Sequence, residues 1–230
     1  MAAGRAGGGV GCRTTVYQER ARRELNAADS ELLALSQARR QEALGILDEL
    51  RLLPAWTRFG RPVLVGAVAH DLVWGRDLDL EVYCPQLRVA DGFQVLAEAG
   101  AASARVKAAQ FMNFLEDSDN ALYWQIKYRA PSGAEWKVDM WSARDDYALP
   151  RGESLVEPLR AALTPDTRLA ILRLKQAREQ ETGPDCLSID LYRAVVADGV
   201  RRPEELRAWL ASNEVGVLSA WRPGGVAEPA

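Results

Sequence analysis

The stretch from Arg61 to Cys84 constrains the fold of this chain more than any other part of it. It begins with an apolar run, Pro62 to Val65, which is suited to a buried strand and ends at Gly66. Further on, the segment from Asp77 to Leu80 alternates acidic and apolar residues, so a strand there would place both carboxylates on one face and both leucines in the core. Like charges held this close repel each other unless a cation lies between them. The stretch therefore predicts a divalent-metal site beside a glycine turn that a phosphate can approach closely.

A third carboxylate is expected to reach the same site from a later strand. The segment from Ala121 to Trp141 contains two β-rich runs around a Pro-Ser-Gly turn, which predicts a hairpin. Alternation along its second strand places Asp139 on the polar face, together with Lys137. A ligand set made only of oxygens favours Mg²⁺ or Mn²⁺ over zinc.

Composition excludes several classes of protein. With 230 residues, 48% of them hydrophobic, the chain can bury a core in one domain or in two small ones. No apolar run is long enough to span a membrane, and the first residues lack the apolar centre of a signal peptide, so we expect a cytoplasmic protein without a membrane partner. The net charge of −3 argues against a large nucleic-acid footprint, and no binding to duplex DNA is expected.

The pattern divides the chain into five regions. We predict a disordered tail over 1–13, a helical segment over 14–55, a core over 56–146, a helical region over 147–222 and a second disordered tail over 223–230. Within the first helical segment Asp29 is a candidate N-cap and Pro54 is expected to end the helix. A later helix is expected to close at Gly100, and Thr164 is expected to cap another. The predicted fold class is α+β, with a small mixed sheet that carries the carboxylates and is flanked by helices from both termini.

Taken together, these residues resemble the nucleotidyltransferase fold of the DNA polymerase β superfamily. The motif of that superfamily is a hydrophobic residue and Gly, then Gly or Ser, followed by Asp-x-Asp or Asp-x-Glu between hydrophobic residues. Here the motif positions are Gly66, Ala67, Asp77 and Asp79, with Asp139 on the later strand, and the resemblance covers roughly Phe59 to Trp141. Ala67 departs from the pattern because the family residue usually carries a hydroxyl that helps to hold the terminal phosphates.

The resemblance implies a mechanism and a set of site residues. Two Mg²⁺ or Mn²⁺ ions held by Asp77, Asp79 and Asp139 would bind an NTP, and Asp139 would also activate the acceptor hydroxyl. The candidate nucleotide-binding residues are Gly66, Ala67, Lys137 and Lys175. The acceptor is left open among a small molecule, a protein and an RNA end. Further candidates for phosphate, acceptor or base contacts are Lys127, Arg129, Arg168, Arg173, Trp74, Trp124 and Trp141.

Other interpretations compete with this one. Glu81 would share the face of Asp77 and Asp79, but outside the metal shell. His70, the only histidine, is expected at a surface or capping position. Because of Ala67, a catalytically silent relative that binds a nucleotide or a partner protein is an alternative function. A glycosyltransferase with an Asp-x-Asp motif and a phosphatase with a nucleophilic Asp both fit the preceding residues less well.

Overall fold

The computed structural model describes residues 11–216 and 219–224, with side chains from residue 27 onward. This part of the chain contains eight helices and five strands. The helices are α1 (Gly11–Glu49), α2 (Leu52–Thr57), α3 (Gly66–Ala69), α4 (Val89–Ala102), α5 (Glu153–Ala162), α6 (Pro165–Glu179), α7 (Ser188–Val196) and α8 (Pro203–Ser212). The strands are β1 (Arg61–Val65), β2 (Asp77–Cys84), β3 (Val106–Phe114), β4 (Ala121–Arg129) and β5 (Glu135–Arg144).

The strands form one mixed sheet in the described part of the chain, in the order β1-β2-β5-β4-β3. Strands β2 and β5 are parallel, whereas the other neighbouring pairs are antiparallel. The predicted α+β fold and the predicted hairpin of β4 and β5 are therefore confirmed. The parallel pair matters most for the site, because it places Asp79 directly opposite Asp139.

One face of the sheet forms the main core. Leu78 and Leu80, which alternate with the acidic residues of β2, are fully buried, and they pack in one cluster with Trp56, Trp124 and Met140. Burying an aliphatic or aromatic side chain of this size contributes roughly 1.5–3 kcal/mol to stability. The alternation of β2 is thus fixed by its leucines, which leaves its carboxylates on the opposite face.

The C-terminal helices form a second core. Its fully buried members include Leu72, which follows α3, and Leu159, Ile171 and Leu191 from α5, α6 and α7. Because Leu72 belongs to the segment between β1 and β2, this contact docks the helices beside the site strands.

Three predictions about helix boundaries are wrong. Helix α1 ends at Glu49, the backbone reverses at Arg51 with a φ of 52°, and Pro54 then lies in the first turn of α2, where its missing N–H is not needed. Asp29 lies inside α1 and does not cap it, and α4 continues past Gly100.

Other boundaries agree with the sequence. The predicted cap of α6 is confirmed, because the side chain of Thr164 accepts a hydrogen bond from the Thr167 amide. Helix α1 contacts α2, α3 and α6, and it contributes Ala43, Ile46 and Leu47 to the main core. Helix α1 begins at Gly11, so the end of the predicted first tail is helical. The rest of that tail, 1–10, and most of the second predicted tail, 225–230, lie outside the described residues. None of the described helices is both long and apolar enough to cross a membrane.

Candidate active site

A cavity of about 580 Å³ lies between the polar face of the sheet and the C-terminal helices. We call its sheet side the sheet wall, which is formed by Asp77, Asp79, Lys137 and Asp139. Its other side is the helical wall, formed by Lys175, Arg178 and Tyr192. Gly66, Ala67 and His70 also line the cavity.

The turn after β1 is pressed against the sheet wall. Gly66 has a φ of 66°, and a Cβ atom added to it would lie 2.2 Å from Oδ2 of Asp79. Any other side chain at this position would both strain the backbone and collide with the carboxylate. The glycine that the sequence singled out is therefore required for the backbone of the turn to approach Asp79.

Asp79 experiences the negative charge of the sheet wall. Burial of its carboxyl group and the nearby charges of Asp139 and Asp77 raise the pKa of Asp79 to about 7, although Lys137 and Lys175 act in the opposite direction. A carboxylate in this position gains from a bound cation.

Asp139 is buried and held by neighbours on the next strand. Its Oδ1 accepts hydrogen bonds from the Tyr123 hydroxyl at 2.6 Å and from Nε2 of Gln125 at 3.0 Å. Burial and the bond to Asp139 raise the pKa of Tyr123 to about 12, so the phenol remains a donor. These two bonds fix the carboxyl group through Oδ1. The other oxygen, Oδ2, lies next to the ammonium group of Lys137.

Lys137 joins two of the three carboxylates. Its Nζ lies 3.3 Å from Oδ1 of Asp77 and 3.1 Å from Oδ2 of Asp139. Burial lowers the pKa of Lys137, but its bond to Asp139 and the charges of Asp77 and Asp139 outweigh that effect and hold the pKa above its ordinary value. The ammonium group therefore stays protonated and supplies a positive charge to the sheet wall.

The donor chemistry of the sheet wall fits Mg²⁺ or Mn²⁺. Three carboxylates supply only hard oxygen ligands, and the one lysine of this wall, Lys137, balances only part of their charge. In the part of the chain that the structure describes, however, no three His, Cys, Asp or Glu side chains already converge as a metal cluster. The carboxylates that flank Lys137 would have to turn toward a metal ion.

The helical wall contains a buried cation. Lys175 is only 3% exposed, and its Nζ donates to the Leu72 carbonyl oxygen at 2.9 Å and to the Tyr192 hydroxyl at 2.8 Å. Arg178, one turn later on α6, donates to the Cys186 carbonyl oxygen. Both side chains thus carry their charge to the cavity from a helix whose other cations are used elsewhere.

His70 is the C-cap of α3, one of the two positions expected for it, but its side chain is buried and not at the surface. Its ring packs edge-on against Tyr192, it is 2% exposed, and its Nδ1 has no hydrogen-bond partner among the described residues. Burial, together with the charges of Lys175 and Arg160, lowers the pKa of His70 to about 4, so its imidazole is neutral near pH 7.

Some of the other predicted candidates line the cavity, and some do not. Glu81 lines it, but its carboxylate accepts hydrogen bonds from the Gly152 and Glu153 amides at the start of α5 and from the Tyr83 hydroxyl. Of the three tryptophans, Trp141 lines the cavity, Trp124 is fully buried in the main core, and Trp74 is buried in a small separate cluster.

The remaining cationic candidates are also committed elsewhere or exposed. Arg168 pairs with Asp71, and Arg173 pairs with Asp29. Arg129 pairs with Glu135 next to the turn of the hairpin. Lys127 is exposed on β4, opposite Lys137.

Tyr123, Gln125 and Tyr192 were not identified from the sequence. The first two had a detectable signal, since a hairpin that pairs Arg129 with Glu135 must also pair Gln125 with Asp139. Tyr192 had none, because its approach depends on how α7 docks.

Comparison with solved structures identifies the fold. Neither a protein-family model nor a curated protein sequence matches this chain. A crystal structure of a mutant Cid1 poly(U) polymerase bound to MgATP matches with a TM-score of 0.54 and 17% identity over 75% of this chain and 55% of that one. The Cid1 structure with Mg 3'-dATP matches with a TM-score of 0.52 and 16% identity over 78% of this chain and 57% of that one.

This chain has the nucleotidyltransferase fold of these Cid1 structures. The resemblance inferred from Gly66, the Asp-x-Asp pair and Asp139 is confirmed at the level of the fold. The chain spans little more than half the length of the Cid1 chains it matches.

Proposed function

We propose that this protein is a metal-dependent nucleotidyltransferase. It would move a nucleoside monophosphate from an NTP to a hydroxyl or phosphate group of an acceptor. The observation that carries the proposal is the pairing of Asp79 with Asp139 on neighbouring parallel strands, with the Gly66 turn against Asp79. This arrangement brings metal ligands and a phosphate-accessible backbone to one end of one cavity.

The sheet wall would hold the metal ions. Asp77, Asp79 and Asp139 are the proposed ligands for Mg²⁺ or Mn²⁺, which when bound would neutralise phosphate charge and act as a Lewis acid in a two-metal mechanism. The remaining chemistry is assigned to groups of the chain itself.

Asp139 is the proposed proton acceptor. Because Oδ1 is occupied by Tyr123 and Gln125, Oδ2 is the atom that would take the proton of an acceptor hydroxyl. The hydroxyl oxygen then forms a bond to the α-phosphorus of the NTP, the bond from that phosphorus to the bridging oxygen breaks, and pyrophosphate leaves with the electron pair.

The cations around the cavity would bind the phosphates. Lys175 and Lys137 line the cavity from the helical and sheet walls, and Gly66 and Ala67 line it too. Lysine is suited to this role because its ammonium group can donate to several phosphate oxygens.

The acceptor is a small molecule, a protein or an RNA end. Cid1 is described as having RNA terminal uridylyl transferase activity, which makes an RNA end one acceptor to test. The net charge of −3 keeps the other two in the screen, because it argues against a large nucleic-acid footprint.

The test is isothermal titration of the protein with each of the four NTPs in the presence of Mg²⁺. We expect one nucleotide to bind, and binding to be lost in the double variant Asp77→Ala, Asp79→Ala. The matched control is Glu116→Ala, Asp117→Ala, which removes two exposed carboxylates from the turn between β3 and β4 and should bind as the wild type does.

Binding that disappears only in the first variant supports the transferase and justifies the acceptor screen. A wild-type protein that binds no NTP at millimolar concentration would overturn the proposal. Nucleotide binding without transfer to any acceptor would favour the alternative, a catalytically silent member of the fold, which Ala67 makes worth testing.

A further inference from the structure

We propose that Lys137 is an exchangeable counter-ion of the sheet wall. In this role its ammonium group holds Asp77 and Asp139 until a divalent cation binds both carboxylates, and it is then released toward the phosphates of the NTP. The inference rests on the proposed function, since it concerns the same carboxylates.

The position of the ammonium group is the first argument. Nζ of Lys137 lies 3.1 Å from Asp139 and 3.3 Å from Asp77, so it lies where one cation would contact both carboxylates. Lys137 is directly opposite Asp77 of β2 and two residues before Asp139 on β5. Each of the two strands therefore supplies one carboxylate partner of the ammonium group. A metal ion and this ammonium group cannot share the same two oxygens.

The balance of charge is the second argument. The wall is made of three carboxyl side chains and one lysine, so its acidic groups outnumber its cation by two. A divalent cation neutralises the charge of the carboxylates more fully than a lysine does, and ion pairs of partly exposed side chains are weak. Exchange is therefore favourable, but metal binding has to break the two contacts of Lys137.

The freedom of the side chain is the third argument. The Lys137 side chain is 44% exposed, whereas that of Asp139 is only 12% exposed and is held by two further hydrogen bonds. When the pair separates, the lysine is the partner that can move. The cavity that it borders also contains Gly66 and Lys175, so a released ammonium group would meet the phosphates there.

The decisive experiment measures Mn²⁺ binding from the electron paramagnetic resonance signal of free Mn²⁺. Lys137→Met keeps the length of the side chain but removes its charge, and we expect it to bind Mn²⁺ about five- to tenfold more tightly than the wild type. Lys137→Arg keeps the charge and should bind close to the wild type. Lys127→Met is the matched control, because Lys127 is exposed and lies opposite Lys137 on β4.

A second measurement separates exchange from structural damage. Inorganic tripolyphosphate at saturating Mg²⁺ is the probe, and we expect Lys137→Met to bind it about five- to tenfold more weakly than the wild type. A purely structural role of Lys137 would weaken both affinities, whereas exchange makes them change in opposite directions. Circular dichroism and thermal melting establish that each variant is folded.

Mn²⁺ affinity that is unchanged or weaker in Lys137→Met would overturn the inference. If in that case the wild type binds Mn²⁺ and the Asp77→Ala, Asp79→Ala variant does not, the proposed metal site stands and only the role of Lys137 is lost. If neither the wild type nor Lys137→Met binds Mn²⁺, the metal site itself is wrong, and the inference fails with it.

Discussion

The sheet wall and the helical wall meet at one cavity but are built in different ways. The sheet wall is made by alternation along two strands, because the buried leucines on one face fix the carboxylates on the other. The helical wall is made by docking, because Lys175 reaches the cavity only where α6 and α7 bring it between Leu72 and Tyr192. We therefore expect changes at Asp139 and its hydrogen-bond partners on the sheet to affect chemistry, and changes in the helical wall to affect binding and stability.

The largest effect is expected from Asp139→Asn. The amide keeps the shape of the side chain but removes the proton acceptor and one metal-binding charge, so transfer should fall by about a thousandfold or more. The measurement is pyrophosphate release with the acceptor that the screen identifies. The control is Asp117→Asn, an exposed carboxylate, and a similar loss in both variants would contradict the role of Asp139.

The next effect concerns His70, which lies where α3 meets the helical wall. Because the pKa of this base is about 4 in the folded protein, below its ordinary value of 6.5, the unfolded chain binds the proton first as the pH falls. Stability linked to His70 is therefore complete above pH 6.5 and is lost as the pH falls toward 4, by on the order of 3 kcal/mol.

Two measurements check this expectation. The chain has one histidine, so a single pair of imidazole resonances in a nuclear magnetic resonance titration reports its pKa. Chemical denaturation of the wild type and His70→Gln at several pH values isolates the linked stability. A folded-state pKa near 6.5 would show that the imidazole is not buried as described.

The difference between the walls also explains how far the sequence could predict the molecule. Strands β2 and β5, and the placing of Asp77, Asp79 and Asp139 on the polar faces of these strands, followed from local alternation, which depends on neighbours in the chain. His70 was expected at a surface or capping position, and it does cap α3. The burial of its ring against Tyr192 could not be predicted, because no pattern within α3 indicates that contact. Lys175 resembled Arg173 on the same helix, yet one is buried and the other pairs with Asp29. The difference between two such residues depends on how the helices dock, and no local pattern of a single sequence predicts that docking.

The pair Lys175 and Arg173 makes this difference measurable. Lys175→Met removes the buried charge of the helical wall and should weaken the binding of tripolyphosphate with Mg²⁺ by about tenfold or more. It should also lower stability by about 1–3 kcal/mol, because the Leu72 carbonyl and the Tyr192 hydroxyl lose a partner. Arg173→Met should change the affinity for tripolyphosphate by less than about twofold, because Arg173 forms an exposed ion pair with Asp29 and such pairs contribute little. Equal losses of affinity in both variants would contradict the difference.

The smallest effect is expected from Tyr123→Phe, which tests the support of the sheet wall rather than its ligands. The variant removes the 2.6 Å hydrogen bond to Oδ1 of Asp139 but leaves that of Gln125. Asp139 would keep its charge and lose part of its orientation, so kcat should fall several-fold, about three- to tenfold, with little change in the affinity for the NTP. Tyr128→Phe is the matched control on the same strand, since its hydroxyl donates to Glu49, which does not line the cavity. A fall in NTP affinity without a fall in kcat would place Tyr123 with the binding groups, and the difference in role between the surroundings of Asp139 and the helical wall would then no longer hold.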